Sequence, residues 1–170
     1  MPLKIKTEEE KAEEVKNPAP IIPAGISQEE IIATIERILE FQNRDIMVQF
    51  KVFDFATNVA TGDGKYYFHT DRKLHKSNLV YVHAKAITAG SGAGTTDIQI
   101  ANVTKAVDML TTKLTIDSGE TGSNTAATPA KIDITKNEVE ENDLLRVDVD
   151  AISATPPQGL LITLGFEERL

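Results

Sequence analysis

Apolar residues recur along this chain with two different periods. Between Ser27 and Gln42 the spacing is helical. Ile31, Ile32, Ile35, Ile38, Leu39 and Phe41 crowd one side, while Glu36, Arg37 and Glu40 hold the other. From Ile46 onward the period becomes two. Val48, Phe50 and Val52 stand against Gln49 and Lys51, and Ile98 and Ile100 against Asp97 and Gln99. Leu145, Val147 and Val149 likewise alternate with Arg146, Asp148 and Asp150. The pattern predicts strands at Ile46–Phe55, Lys65–Thr70, Leu79–Thr88, Thr96–Val103, Thr111–Asp117, Lys131–Thr135, Leu144–Ile152 and Leu160–Phe166. Turn residues separate them at Thr61–Gly64, Ala89–Gly94, Ser118–Asn124 and Pro156–Gly159. Short strands with no helical pattern between them predict a mainly β domain, residues 46–170, folded as an antiparallel jelly-roll-like β-sandwich.

The helix announces its own start. Ser27 is a good N-cap, Glu30 completes a capping box, and Ile26 is placed to staple against Ile31. Ile31, Ile35 and Ile38 step by four and three, the spacing of a coiled-coil seam. Gln28 and Gln42 occupy the next seam positions, so the aliphatic part is short. Isoleucine at both a and d favours three or more strands. Two readings compete for this face. A broad stripe also suits a helix packed on its own domain, and a seam this short does not hold a coiled coil alone. The expectation is a homotrimer in which residues 26–45 form a small bundle and the β-domain shares the contact.

Residues 1–25 read as an extended arm. Five glutamates between Glu8 and Glu14 precede Pro18, Pro20 and Pro23, which exclude a continuous helix. A disordered tail fits the charge bias. An anchoring peptide fits Ile21 and Ile22, two apolar residues set between prolines.

Composition narrows the partners. Hydrophobic residues make up 41%, enough for a core, but aromatics are 5% and tryptophan is absent. That weighs against a single-stranded nucleic-acid platform and a sugar groove of stacked rings. The net charge of −8 opposes a phosphate backbone, so no nucleic-acid partner is expected. Without cysteine there is neither a disulfide framework nor a thiolate metal site. The first residues lack the apolar core of a signal peptide, and no apolar run approaches ~18 residues, so folding in a cytosol without a membrane span is expected.

Candidate chemistry is sparse. His69, His75 and His83 show no metal-ligand spacing. Asp148 and Asp150 share an outward strand face with Arg146, which is placed to neutralise Asp148. Asp54, set among Val52, Phe53 and Phe55, marks the point where an inward row ends. Ala89–Gly94 resembles a phosphate loop only superficially, because a strand and not a helix follows it; it reads as a flexible connection. No enzymatic activity, cofactor or metal is expected. The Gly-, Ser- and Thr-rich stretches Gly90–Thr96 and Ser118–Thr128 suit a surface facing water, or a weak glycan contact.

Six ordered segments carry a resemblance: GDGKYYFH (62–69), SNLVYVHA (77–84), TDIQIANVT (96–104), DMLTTKLTIDSGE (108–120), NDLLRVDVD (142–150) and PPQGLLITL (156–164). Together, over roughly Phe53–Phe166, they resemble a β-sandwich domain of tailed-bacteriophage virion proteins of the head-fibre, capsid-decoration or tail-associated kind. The resemblance implies a structural role in the virion, with assembly in the host cytoplasm. The first 45 residues fall outside it, and it supplies no active-site residues. On that expectation residues 1–25 bind the major capsid protein or another virion protein, with Pro18, Pro20, Ile21, Ile22 and Pro23 as the anchor. The alternative is a tail-fibre or adhesion module that binds a host receptor or glycan.

Overall fold

A computed structural model describes residues 27–42 and 46–168. The chain divides after Gln42 into two units, Met1–Gln42 and Asn43–Leu170. The first contains α1, Gln28–Gln42. Its capping box is formed: the Glu30 amide donates to Ser27 Oγ at 3.2 Å, and the Ser27 amide donates to the Glu30 carboxylate at 2.8 Å. That backbone donor holds the Glu30 carboxyl below its usual pKa. Among the described residues no helix is long and apolar enough to cross a membrane.

The second unit is an antiparallel sandwich. Its strands are β1 (Ile46–Asn58), β2 (Gly62–His69), β3 (Ser77–Thr88), β4 (Thr96–Asn102), β5 (Val107–Asp108) and β6 (Leu110–Thr112). They continue as β7 (Leu114–Ile116), β8 (Lys131–Ile132), β9 (Glu138–Val139), β10 (Leu144–Ala151) and β11 (Gln158–Glu168). One sheet has the order β1-β11-β3-β9 and the other β2-β10-β4-β5, with β7 also on β4 and a small β6-β8 ribbon beside them. From β1 to β4, and again from β9 to β11, each strand lies in the opposite sheet from the one before it. That is the winding of a jelly roll.

Period-two alternation builds the core. Leu160, Ile162, Leu164 and Phe166 of β11 face Ile98 and Ile100 of β4 and Leu145, Val147 and Val149 of β10, all essentially buried. Four rings tie the sheets together at one end. Phe50 of β1 stacks on Tyr66 and Phe68 of β2, with centroids 4.4 and 6.0 Å away, and Phe68 reaches Phe166 at 6.4 Å.

Several strand boundaries differ from the pattern. The expected strand 111–117 is split at Lys113 into β6, which pairs with β8, and β7, which pairs with β4; Gln99 Nε2 of β4 donates to the Leu110 carbonyl at the start of β6 at 3.1 Å. The expected strand 131–135 stops at Ile132 because Asp133 folds back. Its carboxylate accepts from the Thr135 amide and hydroxyl, which lowers its pKa, and its carbonyl accepts from Lys136 N at 2.9 Å. β5 and β9 carry no periodic signal, because two residues each are too few to show one.

Candidate functional site

Within α1, Ile31 is half-buried, whereas Ile32 and Ile35 are 55% and 50% exposed. Ile31 and Ile35 carry the first two layers of the expected seam, and Ile32 flanks them. The side chains of Ile38, Leu39 and Phe41 lie outside the described residues, as do Pro18, Pro20, Ile21, Ile22 and Pro23 entirely.

On the outer face of the second sheet, Asp148 meets Arg146 as the spacing suggests, but it is not left in solvent. It is nearly buried, and Arg146 Nε and Nη2 donate to it at 2.8–3.0 Å. The reason lies next door, where the β2-β10 register shifts between Val147 and Val149. Gly64, at a φ of 67°, turns its amide onto Asp148 Oδ1 at 2.7 Å. The carboxylate therefore closes a bulge. Asp150 instead pairs with Lys113 at 2.9 Å, which pushes the Lys113 ammonium pKa up.

The other singled-out residues are dispersed. Asp54 is exposed and paired with Lys51, beside the register shift between Lys51 and Phe53 that ends the inward row of β1. His75 Nδ1 lies 2.8 Å from Glu140 Oε2, His69 is exposed at the end of β2, and His83 stacks against Tyr81. Among the described residues no three His, Asp or Glu side chains converge on a metal position. The 89–94 loop is more tightly held than a flexible connection: Ser91 exchanges two main-chain hydrogen bonds with Thr155, and Ala154 N donates to Ala93 at 2.9 Å.

One polar cluster escaped the sequence. Asp143, nearly buried, accepts through Oδ2 from Asn102 Nδ2 at 2.7 Å and from Glu140 N at 2.9 Å, with Lys105 Nζ at 3.6 Å. Its carbonyl accepts from Thr70 N at 2.9 Å and Thr70 Oγ1 at 3.0 Å. This knot joins the end of β2, the turn after β4 and the turn before β10. Oδ2 and the main-chain carbonyl each accept twice, so the knot fixes the end of the sandwich. No family model, curated protein or solved structure matches this chain.

Proposed function

We propose that this chain is a structural protein of a tailed-bacteriophage virion, a capsid-decoration or head-fibre protein acting as a homotrimer. The observation that carries this reading is the apolar face of α1, where Ile32 and Ile35 stand half exposed on the unit that precedes a jelly-roll sandwich. Ile35 in the seam and Ile32 on its flank become covered when helices associate in threes, and the same face in a lone subunit stays wet. The six segments that resemble virion β-sandwich domains all fall within the jelly roll, whose winding recurs in viral capsid proteins. That fold-level likeness supports the reading by analogy.

In this account residues 1–25 attach the trimer to the major capsid protein, with Ile21 and Ile22 seated between the prolines, and the sandwich faces water. Each arm docks weakly, and three tethered arms raise the effective concentration at the particle. Assembly takes place in the host cytoplasm and the mature location is the virion. The test is deletion of residues 1–25 followed by co-sedimentation with particles lacking the protein. The truncated chain is expected to remain a folded trimer and to stay in the supernatant. A truncated chain that pellets with the particles refutes the anchor.

A further inference from the structure

We propose that a groove along the free edge of β3 binds an acidic sugar. β11 covers one side of β3 throughout, but the other side is covered only in pieces. Near its start, β9 pairs with Ser77 and Asn78, and the Asn137 carbonyl accepts from Leu79 N at 2.7 Å. Near its end, Ser123 Oγ accepts from Ala84 N at 2.9 Å and the Thr121 carbonyl from Ala86 N at 2.7 Å. Between Leu79 and Ala84 no described strand pairs on this side. Strand alternation turns the Val82 N–H and C=O the same way as those of Ala84 and Ala86, into this gap.

The gap opens into a groove of about 460 Å³, floored by β3 and walled by Ser123, Asn124 and residues 129–132. Tyr81, 44% exposed, stacks on His83 with centroids 6.5 Å apart and forms a ring platform at its side. Gly165 makes room for that platform, because a Cβ there would lie 2.8 Å from Tyr81 Cβ. Among the described residues the Tyr81 hydroxyl, the His83 nitrogens, the Asn124 carboxamide and the Lys131 ammonium have no hydrogen-bond partner. These are uncommitted polar groups around an apolar face, the chemistry that a sugar ring and its hydroxyls match.

Charge selects the kind of sugar. The whole chain carries −8, yet the groove is lined by the Lys131 ammonium and by no carboxylate. A carboxylate- or phosphate-bearing saccharide gains a charge-assisted contact there. An extended peptide is a poorer fit, since the open stretch of edge is too short to template a strand. All of these residues belong to the sandwich, so the site stands independently of α1 and residues 1–25.

The test uses the full chain against immobilised sialyllactose, mannose 6-phosphate and neutral lactose. Retention on either acidic probe, weakened by salt and absent on lactose, is the expected result. Tyr81→Ala and Lys131→Gln alter surface side chains and are each expected to weaken that retention by about tenfold or more. Amide resonances of Val82, Ser123 and Asn124 should move as the retained probe is titrated. The site is overturned if neither acidic probe is held, if lactose is held equally, if both variants bind like the parent chain, or if the resonances that move map elsewhere.

Discussion

Replacing Asp143 by alanine is expected to cost about 1–3 kcal/mol of folding stability, the range for leaving a buried donor without its acceptor. The carboxylate is 3% exposed and serves the Asn102 amide, the Glu140 amide and the Lys105 ammonium together. Alanine leaves Asn102 Nδ2 without an acceptor in a fully buried position, and it strips Lys105 of its inner counter-charge. Asp143→Asn keeps the shape and one acceptor oxygen, so its loss should be smaller. Urea denaturation reads both, as a lowered midpoint with an unchanged slope. If Asp143→Ala unfolds at the parent midpoint, the knot is not what fixes this end of the sandwich.

Phe166→Ala is the second large effect, about 3–5 kcal/mol for truncating a fully buried phenylalanine. Phe166 is completely buried on β11, paired in register with Leu79 and within 6.4 Å of Phe68 across the sandwich. Its removal opens a cavity between the two sheets and leaves Phe68 without its far neighbour. Phe166→Leu, which refills most of the volume, should recover the greater part. Chemical denaturation again gives the measure. A cost below about 1 kcal/mol, small for emptying a packed core position, would mean that the ring row does not join the sheets.

Much of this fold is legible from the residues because the core is built from strict alternation. Phe50, Ile98, Ile100, Leu145, Val147 and Val149 all face inward as their period requires. The capping box of α1 is equally plain, since Ser27 and Glu30 sit three residues apart and satisfy each other locally. Long-range polar pairing is where sequence reading stops. Asn102 and Asp143 are 41 residues apart, and nothing about an asparagine ending an apolar strand says which carboxylate it will meet. Asp148 is legible in part: alternation sets it beside Arg146, which does pair with it, but does not reveal that the neighbouring strand bulges over the carboxylate. The groove beside β3 is hidden in the same way. It exists because β9 is only two residues long and the 121–123 segment takes over farther along, leaving Val82 uncovered between them.

The central claim is that copies of this chain associate through α1, and its most direct test is the mass of the purified full chain by light scattering. The account predicts about three times the 18.6 kDa subunit, falling toward a single subunit when Ile32 and Ile35 are both replaced by asparagine. A parent chain that already scatters as one 18.6 kDa subunit contradicts it.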